Sequence, residues 1–115
     1  MSDNCIFCRI IEGTIPSKKV YEDDDILSFE DIHPAAPVHV LVVPKKHIES
    51  LEAVNPDNVD YVAKAHLAIQ KVAKAKQINT GGYRVIVNCG KDGGQTVPHL
   101  HYHVLGGTVF TEKII

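Results

Sequence analysis

His99-Leu100-His101-Tyr102-His103-Val104-Leu105 is the stretch on which the reading of this chain turns. Histidine alternates there with apolar residues, and successive side chains of a strand point to opposite faces. The alternation predicts a final strand over 99–105, with His99, His101 and His103 on one face and Leu100, Tyr102 and Val104 on the other. Three imidazoles on a buried face cost stability unless each finds a hydrogen-bond partner, so packing alone explains them poorly. A neutral imidazole can instead act as nucleophile or general base near neutral pH. To attack through one ring nitrogen it must keep its proton on the other, as a rule by donating it to a carbonyl oxygen.

Immediately before the histidines runs Asn88-Cys89-Gly90-Lys91-Asp92-Gly93-Gly94-Gln95-Thr96. Phosphoryl and nucleotidyl transfer need donors aimed at non-bridging oxygens. Gly93-Gly94 would let backbone N–H groups approach a phosphate closely, and Asn88, Gln95 and Thr96 offer side-chain donors. Taken alone, Asp-Gly-Gly is more often just a turn. Beside the histidine row it becomes part of one site.

Further upstream, Val38–Val43 is strongly β-branched and bounded by Pro37 and Pro44, which marks a central strand. Lys19–Glu22 and Ile26–Phe29 read as a hairpin around an exposed acidic turn, Asp23-Asp24-Asp25. Tyr83–Asn88 reads as another strand. Pro56 and Asp57 open a helix reaching about Lys76, with Val59, Val62, Ala63, His66, Ile69, Val72 and Ala73 near the helical period. A short N-terminal helix, capped by Asp3 or Asn4, carries Ile6, Phe7, Ile10 and Ile11 and ends at Gly13. Mostly short links between strands favour an α+β fold over a doubly wound parallel sheet: five antiparallel strands and two helices.

The 115 residues suit one domain, 1–115, with an ordinary apolar fraction of 44%. A net charge of −2 provides no broad basic field, which argues against nucleic acid or an anionic membrane as partner. No apolar run approaches a membrane span, and Met1-Ser2-Asp3-Asn4-Cys5 does not read as a secretory signal. A cytoplasmic enzyme is the expectation. Three cysteines are an odd number, and Cys5-Ile6-Phe7-Cys8 has the spacing of half a metal clasp. The same pair would also serve as two small buried apolar residues.

Taken with Asp92-Gly93-Gly94-Gln95, the histidine row resembles the signature of the histidine triad superfamily, and in particular its Hint-like nucleoside phosphoramidase branch. The likeness continues through Phe29-Glu30-Asp31-Ile32, Pro37-Val38-His39-Val40, Pro44-Lys45-Lys46-His47-Ile48 and Gly81-Gly82-Tyr83-Arg84, nearly the whole chain. It implies a homodimer that joins two five-stranded sheets into one of ten strands, with the long helix at the interface. It also implies a purine nucleoside monophosphate, or a conjugate of one, as substrate. His101 would attack the α-phosphorus to give a nucleotidyl-histidine, which water hydrolyses. The phosphate would be held by His103, Asn88, the Gly94 N–H and the neighbouring Gln95, with Thr96 near the leaving group and His39 completing a histidine relay. Asp31 matches the carboxylate that holds the ribose hydroxyls, and Ile6, Phe7, Ile10, Phe29 and Ile32 match the apolar slot for the base.

Some members of the superfamily bind zinc through such a cysteine pair, the histidine of the Pro-x-x-His segment and the first histidine of the triad. Those positions here are Cys5, Cys8, His47 and His99. The resemblance thus implies one structural Zn²⁺ per chain, because four protein ligands close a tetrahedral shell. Two other activities fit the same residues. One is hydrolysis of diadenosine polyphosphates, as in the superfamily's Fhit-like branch; the other is a zinc-stabilised module that binds nucleotides or proteins with residual catalysis. The end of the chain departs from the pattern: eukaryotic Hint proteins carry a Trp-Pro-Pro-Gly tail, and this sequence has no tryptophan. That difference bears on the choice of leaving group.

Overall fold

The computed structural model describes residues 4–115. Five strands form one sheet: β1 (Lys19–Glu22), β2 (Ile26–Glu30), β3 (Val38–Pro44), β4 (Arg84–Ile86) and β5 (Tyr102–Gly106). Their order across the sheet is β1-β2-β3-β5-β4, and every neighbouring pair is antiparallel. Two helices, α1 (Ile6–Glu12) and α2 (Val59–Ala75), and a 3-10 turn at Leu51–Ala53 complete the described elements. This is the α+β architecture expected from the sequence.

The run Val38–Pro44 sits in the middle of the sheet because its branched side chains can be buried on both faces. Val42 lies opposite Ser28 on one side and Tyr102 on the other, while Leu41 lies opposite Phe29 and His103. The pleat separates these rows into two cores. Val40, Val42, Leu100, Tyr102 and Val104 pack under α2 with Ile69 and Val72. Leu27, Phe29, Leu41 and Val43 pack under α1 with Phe7, Cys8 and Ile10. A fully buried valine such as Val40 or Val42 contributes about 1.5–2 kcal/mol. The histidines thus share their face with α1, and the α2 face is apolar apart from the buried Ser28 and Tyr102 hydroxyls.

The structure corrects the expectations at several element ends. The last strand begins at Tyr102, so His99 and His101 precede it. Their stretch follows Pro98, and its amides bond elsewhere: His99 N–H to Val97 O at 2.8 Å and Leu100 N–H to Ile48 O at 2.7 Å. The strand expected over 83–88 shortens to Arg84–Ile86, since β5 offers partners only there. The long helix starts at Val59, because the Asn55 side chain binds the amides of Asp57 and Asn58 and folds the preceding residues into a turn.

Its buried face is Ala65, Ala68, Ile69, Val72 and Ala73, whereas Ala63 and His66 are exposed and Val59 is largely so. Three small alanines on that face permit close approach to the sheet. The helix cap expected at Asp3 lies outside the described residues, and Asn4 is not the cap. Cys5 is, its Sγ accepting the Cys8 N–H at 3.2 Å. In the hairpin turn, Asp23 accepts the amides of Asp25 and Ile26, and Asp25 pairs with Lys64 of α2 at 3.0 Å. That turn is therefore tied down, with Asp24 its exposed tip.

Candidate functional site

His101 is 5% exposed and its Nδ1 lies 2.8 Å from the backbone oxygen of His99. A carbonyl can only accept, so Nδ1 carries the proton and Nε2 is left with a lone pair. Burial lowers the His101 pKa, against the opposing pull of the His99 carbonyl and the Asp31 charge, and so favours the neutral ring. Phe7 from α1 packs edge-on against it at 5.0 Å between centroids. A neutral imidazole with a fixed tautomer is the form that a nucleophile requires.

A second hydrogen-bond chain fixes the neighbouring rings. The Ala35 N–H donates to His39 Nδ1 at 2.9 Å, which leaves the His39 proton on Nε2. That Nε2–H in turn points to His103 Nδ1 at 2.9 Å, so a neutral His103 carries its own proton on Nε2. Asp31 Oδ2 stands 3.5 Å from His39 Nε2, and Asp31 Oδ1 accepts the His33 N–H at 2.7 Å. Burial pushes the His103 pKa down to about 4, with the nearby His101 and His39 adding to the shift and Asp31 opposing it. The relay thus ends on a ring that donates through a chosen nitrogen.

These rings open onto a cavity of about 710 Å³, within the size range of small-molecule sites. His39, His101, His103, Asp31 and Thr96 line it together with Ile6, Phe7, Ile10, Phe29 and Ile32. Ile32 is 86% exposed and Ile6 46%, which places both at the rim. Ile15, Pro16, Leu41 and Val97 also line the cavity and were not anticipated. Leu41 had a signal, since it stands two residues beyond His39 on one strand and therefore on one face. Ile15 and Pro16 reach the wall because Gly13, with a φ of 88°, caps α1 and turns the chain back.

Gly94 and Gln95 lie instead along a neighbouring groove of about 430 Å³ that shares Thr96 with the cavity. The donor groups in this loop are engaged within the fold. Gly94 N–H bonds Lys91 O at 3.1 Å, and Asn88 Nδ2 bonds Gly93 O at 2.8 Å. The Gln95 amide accepts from Gly90 N–H and donates to the oxygens of Glu49 and Val97. In this conformation the three residues therefore build the loop beside the histidines. Gly93 is required for a steric reason: a Cβ there would stand 2.3 Å from Cys89 O.

On the other side of His101, Cys5, Cys8, His47 and His99 bring one ligand atom each to within 4.8 Å of one another. His47 Nδ1 lies 3.2 Å from Cys8 Sγ and 3.1 Å from His99 Nδ1, and Cys5 Sγ lies 3.3 Å from His99 Nδ1. Ligand atoms around a tetrahedral zinc lie about 3.3–3.8 Å apart, so the spacing and the donor set fit such an ion. His99 is fully buried and its Nε2–H faces Pro44 O at 2.8 Å, which turns the Nδ1 lone pair into the cluster. The group can hold a metal.

With that geometry in view, comparison with known proteins is decisive about family. The family model described as "Scavenger mRNA decapping enzyme C-term binding" matches residues 4–113. Protein HitA of Neisseria gonorrhoeae is 45% identical over 107 residues, covering 93% of this chain and 99% of that protein. A histidine triad protein from Clostridium difficile is 51% identical with a TM-score of 0.94, covering 98% of each chain. A HIT family hydrolase from Clostridium thermocellum is 47% identical with a TM-score of 0.98 over 100% of both chains. The chain belongs to the histidine triad superfamily.

Proposed function

We propose that this protein is a nucleotide hydrolase or transferase that cleaves purine nucleoside 5′-monophosphoramidates, or related conjugates, through a nucleotidyl-histidine. The observation that carries the reading is the His101 ring, with Nδ1–H donated to the His99 carbonyl and the ring opening on an apolar-walled cavity. The similar Clostridium thermocellum protein is described as a hydrolase, which supports the reaction class. The base enters between Phe7, Ile10 and Phe29, and the Asp31 end of the cavity receives the ribose.

The His101 Nε2 lone pair attacks the α-phosphorus. The P–N bond breaks, and the amine departs with the bonding pair, taking at the Thr96 end a proton from solvent that the water of the second step gives back. His103 Nε2–H steadies a non-bridging oxygen, with its tautomer set through His39. Water then attacks the phosphorus, the bond to Nε2 breaks, and nucleoside monophosphate leaves from a neutral ring. Two easier displacements replace one difficult one.

A single domain over residues 1–115, working in the cytoplasm as a homodimer with paired sheets, completes the proposal. Zinc fits Cys5, Cys8, His47 and His99. Held by four protein ligands, it would tie α1 to the segment before β5 and leave no position for water. No described helix is long and apolar enough to cross a membrane.

The test is His101→Asn assayed on adenosine phosphoramidate and, separately, on a diadenosine polyphosphate. Loss of phosphoramidate turnover by about a thousandfold or more, with nucleoside monophosphate still bound, supports the nucleophile. Near-normal turnover by the variant refutes it, and a strong wild-type preference for the dinucleotide moves the substrate to that class.

A further inference from the structure

His99 belongs to both centres. Its side chain joins the thiol–imidazole cluster through Nδ1, while its backbone oxygen receives the proton of His101 Nδ1 at 2.8 Å. The ring is fully buried, with Nδ1 facing Cys5 Sγ, Cys8 Sγ and His47 Nδ1 and with Nε2 on Pro44 O. A second path runs through α1. Cys5 caps that helix and Cys8 lies in its first turn, while Phe7 between them stacks edge-on against both His101 and His99.

We infer that metal held by Cys5, Cys8, His47 and His99 positions the nucleophile, with His99 acting as a positioning residue whose backbone carbonyl sets the tautomer of His101. The inference rests on the proposed reading of both centres and adds a coupling between them. The backbone of 99–101 lies outside the strand ladder, and the peptide that carries the His99 carbonyl is held through Leu100 N–H to Ile48 O at 2.7 Å, next to the cluster residue His47. A metal on both His47 and His99 would clamp the two segments that this bond joins. A carbonyl rotated away would free His101 to move its proton to Nε2, and the lone pair needed for attack would be lost. Groups that orient an active imidazole commonly account for about ten- to a hundredfold in activity when removed.

The coupling is reciprocal in principle, since a ligand that changes the His101 environment must act back on the metal by the same free energy. That provides a measurement independent of turnover. Full-length protein would be prepared with zinc, cadmium or cobalt, and metal content measured alongside each experiment. In ¹⁵N-labelled samples, the His101 ring is expected to show a protonated Nδ1 in slow exchange with solvent when metal is bound. That signal should shift between the zinc and cadmium forms and broaden or vanish on chelation. In the cobalt form, adding adenosine monophosphate is expected to move the visible absorption band. Chelation followed by zinc return should lower and restore kcat on the phosphoramidate by about tenfold or more.

Metal-bound samples whose His101 resonances are the same for zinc and cadmium, with a cobalt band indifferent to nucleotide, overturn the coupling. The metal-exchange comparison stays decisive even where the chelated protein unfolds. Protein that takes up none of these ions overturns the metal reading itself. Protein whose His101 responds to the metal while no phosphoramidate is cleaved keeps the coupling and overturns the proposed reaction.

Discussion

Two clusters of ligand-type side chains flank His101, and each gathers its donor atoms within 4.8 Å: Cys5, Cys8, His47 and His99 on one side, Asp31, His39 and His103 on the other. Their chemistry differs. In the first, three of the four residues are buried, two contribute thiols, and the one buried imidazole turns its N–H outward to Pro44 O. Two thiols that can give up their protons and two imidazoles make the donor set that a soft divalent cation takes. In the second, each imidazole N–H is already assigned: Ala35 N–H fixes His39, and His39 fixes His103. Protons occupy the positions a metal would take. Proximity of ligand atoms therefore does not define a metal site; the tautomers imposed by neighbouring backbone groups separate a metal centre from a proton relay.

The largest expected effect of breaking the relay falls on rate. His103→Ala removes the ring that donates to the phosphate and leaves His39 Nε2–H without its acceptor. Turnover of adenosine phosphoramidate should fall by about 10²–10⁴-fold in steady-state assays, with melting temperature changed little near neutral pH. His103→Gln, which can still donate, should recover part of the loss. Equal rates for the two variants would remove His103 from the relay.

Breaking the other cluster should act mainly on stability. Cys8→Ala takes away a buried ligand beside His47 and His99 and leaves the remaining donors facing one another. A loss of about 2–3 kcal/mol lowers the melting temperature by about 10 °C for a domain of this size. The zinc content should fall from one per chain in the same variant. Unchanged melting together with unchanged metal would show that Cys8 only packs against α1's neighbours.

The two clusters also differ in how far the sequence reveals them. Alternation in His99–Leu105 and the Cys-x₂-Cys spacing give the ingredients directly, and the β-branched run at Val38–Pro44 fixes the middle of the sheet. The face shared by the histidines follows from the period of two, even though only His103 is within β5. Sequence periodicity does not give the engagement of Asn88, Gly94 and Gln95 inside their loop, because hydrogen bonds to Gly93 O, Lys91 O and Glu49 O depend on the closed turn. Nor does it give the tautomer of His39, which an otherwise unremarkable alanine amide determines. On α2 the periodicity gives Ile69, Val72 and Ala73 but not Ala65 and Ala68, which carry little hydrophobic signal yet allow close contact with the sheet.

The smallest expected effect is a pH dependence that belongs to the relay alone. In the unfolded chain His103 titrates near 6.5, and in the folded protein burial holds it at about 4. Between these values the unfolded chain binds more protons, so acid favours unfolding. The contribution is complete above about 6.5 and is lost progressively as pH falls to about 4, amounting at most to on the order of 3 kcal/mol. Protonation of the cysteine–histidine cluster and release of its metal also destabilise the protein in acid, so a single curve does not isolate His103. The difference between wild type and His103→Ala does. Chemical denaturation at intervals from pH 4.5 to 7.5 should show wild type losing more stability than the variant on the acid side, with the gap closing above about pH 6.5. Parallel curves would mean that His103 is protonated as readily in the fold as outside it, and the relay would then lack the neutral ring on which its directionality depends.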